Sequence, residues 1–165
     1  MTYERSVWNV RKDVSPKHER LTEILADGES KTLEFKRTTG ELREAMVKWL
    51  PPHGFTGKVH HIKAEVGGTY KMSFTNLTTG HGHSFGGEFL EFVPNERIRH
   101  TDKFDDPNLA GQMQTTISLK KVSIGTELTV VQEGIPSAIP VEACYLGWQE
   151  SLTLLTQLVE PEIKE

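Results

Sequence analysis

The side chains of this chain that could do chemistry are one carboxylate set among apolar residues, a scatter of histidines and a single thiol. Asp102 stands in the stretch Arg97 to Phe104. If that stretch is extended, Ile98, His100, Asp102 and Phe104 share one face, because alternate side chains of a strand point the same way. A carboxylate turned inward in an apolar wall costs several kcal/mol unless it is partnered. His83 on a neighbouring strand, His100 two residues back, or Gln132 could be that partner. So placed, Asp102 would be a polar anchor that orients a ligand. The plainer account, in which a sheet edge exposes Asp102 to water or the carboxylate ties down a loop, carries slightly the greater weight.

His60-His61, His81-Gly82-His83 and His100 invite a metal reading. Adjacent residues of a regular strand face opposite ways, so His60 and His61 do not share a site. His81 and His83 could, but without a cysteine or a spaced carboxylate the ligand set is incomplete, and no metal is expected. Loop and surface positions account for these histidines better. Acyl transfer needs a nucleophile with a base and oxyanion donors. Cys144 has Tyr145 for a neighbour and Ser84 has His83, and neither carries the strained turn such chemistry uses. No catalytic residue is assigned and no cofactor is implied.

With 165 residues the chain is the size of one domain. A content of 36% hydrophobic and 25% charged residues excludes a fully disordered chain. No apolar run approaches the roughly 20 residues of a membrane-spanning helix. Met1-Thr2-Tyr3-Glu4-Arg5 lacks the apolar core of a signal peptide. Cys144 is the only cysteine, which suits a reducing cytoplasm, the expected location. A net charge of −4 and a pI near 6.0 argue against nucleic acid as a partner.

The elements that must position these groups follow from periodicity. Ser15 and Pro16 read as a helix start, Leu21, Ile24 and Leu25 as its apolar stripe, and Gly28 as its stop. Lys31 to Thr38 alternates as a strand and Gly40 breaks it. Leu42, Ala45, Met46, Trp49 and Leu50 repeat at helical spacing until Pro51-Pro52. Period two then takes over. The predicted strands run from Gly57 to Val66 (His60, Ile62, Ala64 and Val66 on one face), Thr69 to Thr75, His83 to Val93, Arg97 to Phe104, Gln112 to Val122 and Thr126 to Gln132. Gly67-Gly68 turns between the first two, and Gly86-Gly87 lets the third bend. A last helix runs from about Val141 to Val159, with Ala143, Leu146, Gly147, Trp148, Leu154 and Leu158 near one stripe, and Pro161 ends it. Helix, hairpin-linked strands, then a long helix is the α+β pattern.

From about Val47 to residue 160 the chain resembles the activator-of-heat-shock-ATPase-like family of the START-like (SRPBCC) superfamily. Trp49-Leu50-Pro51-Pro52-His53-Gly54-Phe55, Gly67-Gly68-Thr69-Tyr70, Gly86-Gly87-Glu88-Phe89-Leu90-Glu91, Pro94-Asn95-Glu96-Arg97, Gly125-Thr126-Glu127-Leu128-Thr129 and Gly147-Trp148 carry the likeness. The resemblance implies a helix-grip fold, a curved antiparallel sheet around the C-terminal helix with an apolar cavity between. Residues 1–30 would then be an N-terminal extension with one helix, and 31–165 the START-like domain. Leu21-Thr22-Glu23-Ile24-Leu25 and Gly28 to Arg37 resemble instead the opening of Alba-like (Schlafen-type) DNA-binding domains, within residues 20–46. Leu33 to Thr38 is expected to supply the first strand of the sheet.

Under that resemblance the ligand-binding set is Trp49, Tyr70, Met72, Phe74, His83, His100, Asp102, Phe104, Met113, Gln132, Ile135 and Trp148, with Ile135 at the cavity entrance. Periodic aromatics and methionines are more often plain core, and only the fold's habitual cavity raises these. The expected function is a cytoplasmic protein that shelters a small apolar or amphipathic molecule. The alternatives are an acid–base enzyme of cyclase or hydrolase type using His83 and Asp102, and a cochaperone-like activator of a heat-shock ATPase. Enzymatic activity is not the favoured reading, contact with a chaperone has no support in the residues, and a homodimer stays open.

Overall fold

The alternation from Phe55 onward builds one antiparallel sheet. The computed structural model describes residues 5–12, 43–123 and 125–159, the first stretch as a backbone path. Strands β1 (Arg5–Lys12), β2 (Phe55–Ile62), β3 (Thr69–Asn76), β4 (Gly82–Val93), β5 (Arg97–Phe104), β6 (Met113–Lys121) and β7 (Thr126–Glu133) pair in the order β1-β7-β6-β5-β4-β3-β2. All neighbours run antiparallel. A helical turn over 43–49, α1, precedes β2, and the long helix α2 (Val141–Val159) follows β7. The architecture is α+β, a curved sheet with its C-terminal helix against one face.

β1 closes the edge beside β7, pairing from Arg5↔Glu133 to Lys12↔Thr126. The periodicity had given this segment no element, so the sheet takes in residues assigned to the N-terminal extension. The predicted helix at Leu21 to Leu25 with its cap Ser15, the strand Lys31 to Thr38, the Alba-like stretch and Pro161 lie outside the described residues.

Two devices curve the sheet. β2 slips register between Val59 and His61, and β4 between Phe89 and Glu91. Each extra residue bends its strand and raises its twist. In β4, Gly86 and Gly87 let the flanking backbones come close: a Cβ on Gly86 would stand 2.3 Å from the Tyr70 carbonyl, and one on Gly87 1.8 Å from that of Thr101. The β2 bulge also corrects the expectation for His60 and His61. Both side chains reach the outer face of β3, His60 Nε2 lying 2.9 Å from Ser73 Oγ and His61 Nε2 3.1 Å from Thr69 Oγ1. Alternation fails there because the bulge inserts a residue. Val66, expected to share a face with Ile62, is exposed beyond the end of β2.

The core lies on the inner face, where Ile62, Tyr70, Met72 and Phe89 cluster with Met46, Leu50, Val59 and Phe74 against them. Each such side chain contributes about 1.5–3 kcal/mol on full burial. α2 is tied across this face: Ser151 Oγ donates to the Leu50 carbonyl at 2.7 Å, Trp148 Nε1 to Gln132 Oε1 at 3.3 Å, and the His53 amide to Glu150 Oε2 at 2.8 Å. Its inner side carries Cys144, Gly147, Trp148, Ser151, Leu155 and Leu158. Ala143 and Leu146, expected on that side, are exposed. Hydrophobicity misdirects the helix stripe here because the inner side holds small and polar residues, Cys144, Gly147 and Ser151, where a filled core would hold large ones.

Candidate functional site

Between sheet and α2 lies a hollow of about 750 Å³. Of the twelve residues expected to line it, ten do: Trp49, Tyr70, Phe74, His83, His100, Asp102, Phe104, Met113, Gln132 and Trp148. Met72 is fully buried in the wall behind them, and half-buried Ile135 is not among the lining residues. The pattern missed Phe55, Ile62, Phe85, Phe89, Ile98 and Ile117, which complete the apolar wall. For Ile62, Phe85, Phe89, Ile98 and Ile117 the signal was present in the same period-two pattern that picked Phe74 and Phe104, whereas Phe55 stands ahead of the strand predicted from Gly57 and on the far side of the β2 bulge.

At one end stand the aromatics. His83 lies among Phe55, Phe74, Phe85 and Phe104, with ring centroids 6.3, 5.9, 6.1 and 5.7 Å away. Burial pushes its imidazole below the ordinary 6.5, since an apolar cage disfavours the cation.

Further along β5 is the polar centre. Asp102 is only 6% exposed, so the account that gave it to solvent is overturned. Its Oδ1 accepts from the Tyr70 hydroxyl, which also lies 2.9 Å from the Thr101 carbonyl. Its Oδ2 accepts from Thr115 Oγ1 at 3.0 Å and faces His100 Nδ1 at 3.3 Å. His83, one of the three partners the sequence left open, makes no such bond among the described residues. β4 and β5 pair Gly86↔Lys103 and Phe89↔His100, which sets Asp102 level with Gly87.

His100 is nearly buried, and Nδ1 also lies 3.4 Å from the Thr101 carbonyl and 3.1 Å from the Tyr70 hydroxyl oxygen. Burial alone would lower its pKa, but the Asp102 charge, the hydrogen bond to it and the Thr101 carbonyl together raise it above 6.5. The Tyr70 phenol is pushed far up by burial and by the adjacent carboxylate. On the next strands Gln132 Oε1 accepts from Trp148 Nε1, and Gln132 Nε2 approaches the Met113 sulfur at 3.6 Å. The Cys144 thiol, half-buried in the opposite wall, is pushed up by burial. The arrangement is an apolar chamber with a compact hydrogen-bonded carboxylate–imidazole–phenol group set into the sheet. Among the described residues no helix is long and apolar enough to cross a membrane.

Similar proteins agree with this fold. A crystal structure of a protein from Chromobacterium violaceum is 46% identical, covers 97% of this chain and 98% of its own, and superposes with a TM-score of 0.77. A Rhodobacter sphaeroides protein (19% identity, 93% and 90% coverage, TM-score 0.67) and an AHSA1 protein from Silicibacter pomeroyi (14%, 94% and 96%, 0.67) share the fold. No curated protein matches the chain. The family described as "Activator of Hsp90 ATPase homolog 1-like protein" matches residues 42–160. That span takes in six of the seven strands and α2, and the chain therefore belongs to this AHSA1 family, within the START-like (SRPBCC) type of fold.

Proposed function

We propose that the chain is a cytoplasmic binding protein that shelters a small apolar or amphipathic molecule in the hollow between sheet and α2. The family and fold support a domain of ligand-binding or cochaperone-like type, and the chamber favours the first. The carrying observation is its size together with its lining. A volume of about 750 Å³ falls inside the roughly 300–1,000 Å³ of small-molecule sites. Its wall is mostly apolar, the polar exceptions being the group around Asp102, the Gln132 amide, His83, Ser151 and, at the rim, Glu44 and Lys48. Trp49, Phe74, Phe85, Phe104 and Trp148 are half-buried, not buried, so their remaining apolar surface is there for a guest to cover. Each Å² covered contributes about 25 cal/mol.

α2 supplies the test. A Cβ built on Gly147, in the chamber wall, meets nothing within 4 Å, so there is room for a side chain to start there and Gly147→Phe is expected to occupy part of the chamber. The uncharged dye Nile red is expected to bind the native chain with enhanced fluorescence, and Gly147→Phe to weaken it at least about tenfold, with thermal stability kept. The fold-change corresponds to roughly 1.4 kcal/mol. Equal dye binding by both proteins would mean that the dye sits elsewhere, and the proposal would fail.

A further inference from the structure

Resting on that reading, we infer that the hollow selects molecules whose polar end accepts hydrogen bonds, a carboxylate or phenolate oxygen on an apolar body, and that His100 and Gln132 receive it. The first reason is that Asp102, the obvious charge, is already spent. Both its oxygens are engaged, by Tyr70 on one side and by Thr115 and His100 on the other. A guest therefore meets what stands in front of the carboxylate.

The second reason is proton placement. His100 Nδ1 faces the Asp102 carboxylate, the Thr101 carbonyl and the Tyr70 hydroxyl oxygen; the first two cannot donate and the hydroxyl's hydrogen goes to Asp102 Oδ1, so Nδ1 carries a hydrogen in either charge state of the ring. The ring's other nitrogen, Nε2, has no hydrogen-bond partner among the described residues. The negative charge behind the ring favours a second proton there, and the upward shift of His100 is in keeping with that. Gln132 is oriented by similar logic. The Trp148 indole can only donate, so the amide oxygen of Gln132 faces it, and the amide nitrogen is left with a thioether, a weak acceptor.

The third reason is register. β5 and β6 pair His100↔Thr115, and β6 and β7 pair Thr115↔Gln132. These three residues form a row across the sheet on one face, with the backbones of the two donor residues two strands, or about 10 Å, apart. The aromatic cage of His83 and Phe104 lies four residues along β5 from His100, a distance of about 13 Å. The chamber thus has an apolar end for the body of the guest and, midway along β5, donors for its oxygen, with Ile98 and Ile117 lining the wall beyond them. Of the charged side chains at its rim, Glu44 and Lys48 are both exposed and of opposite sign, so they set no preference. With an anion at Nε2, the imidazolium stands between two negative groups, one bonded at each ring nitrogen.

The test is displacement of Nile red from the full chain at neutral pH by dodecanoate, dodecanol and dodecylammonium, each below its micelle concentration. Dodecanoate is expected to displace the dye at concentrations at least about tenfold lower than dodecylammonium, with dodecanol between them. Gln132→Leu and His100→Leu should each shrink that ratio several-fold, and His100→Gln, which keeps a side-chain donor, should restore part of it. Dodecylammonium binding as tightly as dodecanoate, or an unchanged ratio in both leucine variants, would overturn the inference. Dye that binds and is lost in Gly147→Phe, yet is displaced by none of the three probes, would overturn it while leaving the chamber a binding site. Failure of the dye to bind at all would sink the underlying reading instead, and the selectivity with it.

Discussion

At the scale of single residues, the chamber's chemistry depends on how a buried carboxylate is satisfied. Three donors converge on the buried Asp102 carboxyl group, and removing one leaves an acceptor short at a position only 6% exposed. Tyr70→Phe removes the hydroxyl and little volume. It should cost about 1–3 kcal/mol, read as a lower urea midpoint at unchanged m-value. An unaltered midpoint would mean that Tyr70 contributes packing alone. The inward face of Asp102 was legible in the alternation of Ile98, His100, Asp102 and Phe104. Its partner was not, because spacing along one strand does not say which residue of the next strand stands opposite. The register sets Gly87 there, leaving His83 with the phenylalanines and His100 as the side chain close enough to turn its Nδ1 toward Asp102.

Among the elements, the two glycine sites of interest play opposite parts. Gly87 lets β4 lie close to β5, and a methyl group would press on the Thr101 carbonyl beside Asp102. Gly147 sits inside α2 facing empty space. The expected outcomes differ in sign. Gly87→Ala should destabilise by about 1–3 kcal/mol, as overpacking does. Gly147→Ala should stabilise by about 0.5–1 kcal/mol, since glycine inside a helix is unfavourable relative to alanine. Urea melts of both variants against the native chain check the pair, and equal shifts in one direction would contradict it. The strands β2 to β7 and the limits of α2 were readable from period and punctuation. The bulges were not, since an extra residue leaves composition and periodicity almost unmarked, and so His60 and His61 came to share a face. β1 was missed for a similar reason: Arg5–Lys12 is a short, mixed-polarity edge strand whose partner, β7, lies more than a hundred residues away.

For the molecule as a whole, the chamber leaves a signature in the dependence of stability on pH. The folded-state pKa of His100 is raised, so its contribution is complete below the ordinary 6.5 and is lost as pH rises through the folded value. That of His83 is lowered, so its contribution is present above 6.5 and is lost as pH falls through the folded value. Relative to the native chain, His100→Gln should therefore flatten the loss of stability on the alkaline side of 6.5, and His83→Phe the loss on the acid side. Denaturation midpoints from mildly acid to mildly alkaline pH measure both, and parallel curves for all three proteins would refute the assignment. The linear order of apolar and polar residues determined by itself the α+β class and strands β2 to β7, because periodicity and turn residues act locally, and the ordered motifs from Trp49 to Trp148 carried the resemblance to the family. Only the tertiary structure decided that the sheet and α2 stand apart around a hollow, and that Asp102 pairs with His100 and not His83. Both depend on strand register and on small residues at the inner side of α2, and those properties exist only once distant segments are packed together.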